Sequence, residues 1–284
     1  MPVKRITRDQ RAISPAISTV ILTSAIILML IVVLLFANNY LNAQIAANEF
    51  NAMEQFMQNV SLQIDNVAWT VGSTQTVRYA SKYGQVILES GVLNSGVYSG
   101  VLSYALYVNN TNTWVANFST AALIFNMPIT AYNIVNNYSQ RILPFSNSSF
   151  LQQGTSATVS QVFVIERTPM QDGSYVRIVV APSIRMLNST IGTANYTECY
   201  LPILQPGNSP YLSQSVTLIS TKVSDTIEQN INQIKMDISF PISSLGFNST
   251  FFGFSSTEQI ISLPAGSTLN FYTGNVTVSL GLYS

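Results

Sequence analysis

Between Ala16 and Ala37 the chain carries no charged residue, and this stretch constrains everything around it. At ~1.5 Å per residue, a helix of this length spans roughly 33 Å, the thickness of a bilayer's hydrocarbon core. A backbone in hydrocarbon has no water to bond, so its own N–H and C=O groups must satisfy one another, as they do in a helix. The stretch therefore predicts a membrane-spanning helix. The segment before it is short and basic, and the chain beyond it is weakly charged and rich in Asn, Ser and Thr.

The periodicity continues past the apolar run. Leu41, Ile45, Met53, Phe56, Met57, Val60, Ile64, Val67 and Ala68 recur at three-and-four spacing. Asn42, Gln44, Asn48, Asn51, Gln55 and Gln63 take much of the opposite face. No Gly or Pro interrupts Ala16 to Val71, and Gly72 supplies a helix stop. One helix over 13–70 would be roughly 87 Å long. An anchor alone does not need that length. A filament subunit does, and an amphipathic helix packed on its own domain also fits.

After Val71, Gly and Pro return and short strands are expected. Thr76–Tyr79, Gln85–Leu88 and Val101–Val108 read as strands, whereas Val115–Ile124 fits strand or helix. Thr158–Arg167 and Ser174–Val180 flank the Asp172-Gly173 turn as a hairpin. Ile184–Leu187 could extend its second strand. Ser215–Lys222, Lys235–Phe240 and Thr268–Leu282 alternate, and Thr226–Ile234 reads as a short helix. The expected class is α+β: a long membrane-spanning and amphipathic helix followed by an extracellular β-sandwich-like domain. The boundaries are a leader over 1–12, the helix over 13–70 and the β-rich domain over 71–284.

Composition excludes several kinds of chemistry. The chain has no His, so Ser-His-Asp and Cys-His catalysis and His-ligated zinc are excluded. Cys199 is the single cysteine, so no disulfide can form within the chain. It reads as a small buried apolar side chain. Net charge is zero, which gives no electrostatic case for nucleic acid. Glu49 with Glu54, and Asp225 with Glu228, could share helix faces, where they read as solvated. No cofactor, metal or enzymatic activity is expected.

The leader holds Lys4, Arg5, Arg8 and Arg11 against Asp9 alone. Positive flanks stay cytoplasmic, which places the C-terminal bulk outside. A secretory signal would have an apolar core of ~7–15 residues, shorter than this one. An uncleaved signal anchor remains open. Arg11 to Ser18 read R-A-I-S-P-A-I-S. They resemble the class III signal of archaeal type IV pilins and archaellins. That resemblance implies cleavage by a prepilin-type signal peptidase between Ala12 and Ile13, with Arg11 and Ala12 as the basic-small pair. The apolar helix would then be the mature N-terminus and would assemble with copies of itself or other pilin-like subunits. Many bacterial pilins carry Glu where Ile17 stands, so the likeness is to the archaeal members. The layout is also similar to archaeal pilins, whose long helix carries an immunoglobulin-like sandwich. The stretch VAWTVGSTQTVRYASKYG looks like a segment of archaeal pilin-like surface proteins. The implied function is a cell-surface filament subunit. The alternative is an uncleaved, membrane-anchored extracellular binding or adhesion protein.

Nine Asn-x-Ser/Thr sequons lie on the side expected to be exported: Asn59, Asn109, Asn117, Asn137, Asn147, Asn188, Asn195, Asn248 and Asn275. Asn109, Asn147 and Asn248 fall in expected loops, and Asn275 in an expected strand.

Overall fold

The computed structural model describes residues 13–91, 98–109, 111, 113–134, 138–145, 147–166, 174–207 and 214–281. The one α-helix among the described residues, α1, runs Ile13–Ala68. Thirteen strands come after it among the described residues: β1 (Thr74–Arg78), β2 (Gln85–Glu89), β3 (Leu102–Val108), β4 (Ala116–Thr120), β5 (Ala122–Pro128), β6 (Ser139–Leu143) and β7 (Leu151–Gln153), then β8 (Ser160–Glu166), β9 (Tyr175–Pro182), β10 (Ile184–Ile191), β11 (Ala194–Pro206), β12 (Ser215–Ser239) and β13 (Glu258–Leu280). The chain divides into two compact units, Met1–Ala47 and Asn48–Ser284. The second unit therefore takes in the last third of α1 together with every strand.

The strands make two sheets. Five antiparallel strands run in the order β2-β5-β9-β8-β6, and eight make a mixed sheet in the order β4-β3-β12-β13-β11-β10-β7, with β1 paired on β12. The five-stranded sheet is apolar on both faces. Leu123, Phe125, Met127, Val162, Val164, Val176, Ile178 and Val180 join a core cluster with α1. Their neighbours Ala122, Ile124, Phe163, Ile165, Val179 and Ala181 join a second cluster with Leu106, Met186, Cys199, Leu201, Met236 and Phe271 of the other sheet. This two-sided burial explains why β5, β8 and β9 read as continuous apolar runs instead of alternating ones.

The lower part of α1 is core. Phe50, Met53, Met57, Val60, Ile64 and Val67 alternate steps of three and four and are buried. Burial on this stripe is what holds the helix against the sheet, because isolated helices gain little from propensity alone.

Two strand expectations resolve into sheet changes. Val115–Ile124 is neither one strand nor a helix. β4 lies in the eight-stranded sheet and β5 in the other, with Ala121 between them donating its N–H to Leu204 O at 3.0 Å. Likewise Ile184–Leu187 does not extend β9. The chain leaves the five-stranded sheet at Ser183, whose N–H bonds Val159 O, and β10 begins in the other sheet. The expected hairpin of β8 and β9 is present, with Ser160 opposite Pro182 and Glu166 opposite Val176. Its Asp172-Gly173 turn lies outside the described residues.

The short helix expected over Thr226–Ile234 is instead the middle of β12. Thr226 pairs with Phe271 and Ile234 with Ile261 of β13. Register shifts on either side of Ile231 put Ile231 and Ile234, three residues apart, into the same core. These irregularities give a strand the apparent spacing of a helix. Asp225 and Glu228 consequently sit on a strand and share no helix face. Cys199 is fully buried and free, and burial pushes its thiol pKa well up, which suppresses the reactive thiolate.

Candidate functional site

No residue of the most apolar window of α1 is buried. Ile17, Ile21, Leu22, Ile27, Met29, Leu34 and Phe36 are all more than half exposed. Monomeric soluble proteins rarely leave so long an apolar surface uncovered. The hydroxyls within the run spend their donors on the helix itself: Thr23 Oγ1 bonds Thr19 O at 2.9 Å and Val20 O at 3.0 Å, and Ser24 Oγ bonds Val20 O at 2.7 Å. A hydroxyl satisfied in this way can enter an apolar medium without leaving an orphaned donor. Of the expected processing residues, Ile13 is the first residue of α1, whereas Arg11 and Ala12 lie outside the described residues.

Inside the second unit, α1 is fastened to the strands by polar contacts as well as by its stripe. Glu49 Oε1 accepts from Ser81 Oγ at 2.5 Å, from Tyr83 N at 2.9 Å and from Gly84 N at 3.3 Å. Burial raises its pKa, but the hydrogen bonds from Ser81, Tyr83, Lys82 and Gly84 outweigh that, and the net shift is downward from 4.5. Farther along, Asp65 takes Trp69 Nε1 at 2.8 Å on one oxygen and Arg185 of β10 at 3.1 Å on the other. The Arg185 guanidinium lies over the Tyr200 ring at 5.0 Å, and Tyr200 stacks on Tyr272 at 5.1 Å. Trp69 meets Tyr200 edge-on at 5.3 Å. Ala68 closes against Gly274, where an added Cβ would stand 2.3 Å from Ala68 O. The glycine is thus required by close backbone approach.

The Glu49 latch gives a pH signature. A depressed folded pKa contributes stability that is present above the unfolded value and is lost as pH falls through the folded one. Glu49→Gln is expected to lower stability at pH 7 by about 0.5–1 kcal/mol, discounted for the group's exposure. The gap between the two proteins should close below pH ~4. Parallel thermal melts across pH 2–8 check this, and a gap that persists undiminished at acid pH would contradict it.

The sequons occupy different surroundings. Asn59 is exposed on α1 and Asn147 is exposed in a loop, its Oδ1 accepting from Ser149 N at 2.9 Å. Asn248 is half-buried and accepts from Phe251 N at 2.9 Å. Asn275 is half-buried within β13. Asn109 has both ends of its carboxamide engaged: Nδ2 donates to Asn230 O at 3.2 Å and Oδ1 accepts from Asn232 N at 2.9 Å. Asn117, Asn188 and Asn195 lie on strands, each with Oδ1 held by a hydroxyl of the neighbouring strand, from Ser103, Thr197 and Thr190 respectively. Asn137 lies outside the described residues. Among the described residues no group of three or more acidic or cysteine side chains gathers as a metal site would require.

Sequence reading found the apolar run and the stripe but not the fastening of α1. Glu49, read from the sequence as a solvated side chain, instead accepts from Ser81, Tyr83 and Gly84 more than thirty residues later, and nothing local in the sequence marks that role. No protein-family model matches the chain, and no curated protein or solved structure matches it.

Proposed function

We propose that the chain is an exported, archaeal type IV pilin-like subunit of a cell-surface filament. It is inserted in the membrane by its apolar helix, cleaved after Ala12 by a prepilin-type signal peptidase, and assembled through that helix with copies of itself or related subunits. The observation that carries this reading is the uncovered, uncharged first part of α1, continuous with a helix whose last third is core of the β domain. The resemblance of Arg11 to Ser18 to class III signals supports the processing step. The two sheets sharing one apolar cluster are read as a sandwich, facing the cell exterior, with several sequons as N-glycan acceptors. The protein's role on this reading is structural, with no cofactor and no catalysis.

N-terminal sequencing of the membrane and filament fractions tests it. A mature chain beginning at Ile13 is expected, and Arg11→Glu combined with Ala12→Leu is expected to abolish the shortened form. A chain that retains Lys4 and Arg5 makes the protein an uncleaved anchored surface protein, and a double variant still processed to the same size removes the cleavage-site assignment.

A further inference from the structure

Apart from the three-residue strand β7, which is too short to template a partner, the open edges of the eight-stranded sheet are without charge at two places among the described residues. Among the described residues β4 pairs with β3 alone, over Ala116 to Thr120. On the other side β7 pairs β10 only over Ile184 to Met186, so from Leu187 to Ile191 β10 has β11 as its one partner among the described residues. Neither edge segment holds a charged residue or a proline, and neither pairing contains a bulge. A regular edge of this kind is a template for any strand it meets, and natural proteins blunt such edges with lysine, proline, bulges or a cover. β1, which also has a free side, does carry a charge, Arg78.

Each of the two uncharged edges carries a sequon instead. Asn117 and Asn188 are both exposed. Asn117 Oδ1 accepts from Ser103 Oγ of the inner strand at 2.8 Å, and Asn188 Oδ1 accepts from Thr197 Oγ1 of the inner strand at 3.0 Å. In each, the carboxamide is oriented through its oxygen by the next strand inward, and Nδ2 enters no hydrogen bond among the described residues. Nδ2 is the atom that takes an N-linked sugar. Asn109 shows the opposite arrangement, with its Nδ2 donated to Asn230 O.

We propose that N-linked glycans on Asn117 and Asn188 cover the two uncharged edges of the eight-stranded sheet and prevent strand pairing between molecules. The inference rests on the export of the β domain proposed above. The transfer joins Nδ2 to C1 of the sugar and breaks the bond from C1 to the phosphate of a lipid-linked oligosaccharide. The lipid phosphate leaves, and the Nδ2 proton goes to the transferring enzyme's base. A hydrated oligosaccharide at the edge occupies the space an incoming strand needs, as a lysine does elsewhere.

The test uses the full chain purified in detergent from its native membranes. Peptide mass spectrometry is expected to show glycan on both asparagines. The double variant Asn117→Gln with Asn188→Gln should lose the dispersed species to aggregates on size-exclusion chromatography. Asn117→Lys with Asn188→Lys, which loses the same glycans but charges both edges, should stay dispersed. Either asparagine found bare, a Gln variant as dispersed as the parent, or a Lys variant that aggregates alike overturns the proposal. Protease added to intact cells separates this from failure of the export reading: a β domain that is cleaved leaves export standing, and one that is protected overturns both.

Discussion

A chain cut back to residues 70–284 is expected to lose its folded β domain, whereas one beginning at Asn48 is expected to keep it. All the strands are retained in both, so the strand content alone would predict no difference. The difference lies in the stripe of α1. Phe50, Met53, Met57, Val60, Ile64 and Val67 are each at most 3% exposed. Burial of one such side chain contributes roughly 1.5–3 kcal/mol. Six together reach about the whole 5–15 kcal/mol by which domains of this size are stable. Removing them also uncovers Leu123, Phe125, Val164, Ile178 and Val180 on the five-stranded sheet. The Glu49 and Asp65 contacts disappear as well. Circular dichroism and a cooperative thermal transition distinguish the two fragments. A 70–284 fragment that melts cooperatively near the temperature of the 48–284 fragment would show that the helix is an accessory to this core and not part of it.

How much of this was legible in the sequence depends on how local the signal was. The helix was, because charge, Gly and Pro are all absent from Ala16 to Ala37, Gly and Pro stay absent to Val71, and the apolar positions keep one period. The β8–β9 hairpin was legible for the same reason, since both strands and the turn lie within one short window. β11 is hard to recognise as a strand from the sequence, since Pro202 and Pro206 are residues that a central strand does not usually hold. The structure accommodates Pro202 beyond the last β10–β11 pair, Arg185 opposite Tyr200, where β11 is paired with β13 alone. The middle of β12 misled because its register shifts place apolar residues at helical spacing. The sheet changes at Ala121 and Ser183 were hidden, because a single residue at a corner leaves no compositional trace. Of the residues that resemble class III signals, Arg11 and Ala12 of the expected cleavage site lie outside the described residues. Exposure of Ile17 to Phe36 is an independent observation about the neighbouring segment.

Placing one charge in the middle of that segment is expected to abolish filaments while leaving much of the membrane insertion intact. Ile27→Lys and Met29→Asp both lie near the centre of the run from Ala16 to Ala37, and both parent side chains are exposed, so neither substitution disturbs packing within the subunit. Insertion of one central charge costs ~2.5–3.5 kcal/mol on translocon scales. The surrounding Leu, Ile and Val residues each favour insertion by ~0.3–0.6 kcal/mol, enough together to keep a large inserted fraction. In a filament the same side chain would be enclosed by neighbouring helices. The run supplies no acid or base to pair with it, since copies of the same segment are uncharged over their whole length. An unpaired buried charge costs several kcal/mol, and the cost recurs with every subunit added. Assembly therefore fails well before insertion does. Immunoblots of the membrane fraction and electron microscopy of the cell surface measure the two quantities side by side. Equal loss of both would mark the helix as an anchor alone, and normal filaments from either variant would move the assembly surface off the helix altogether.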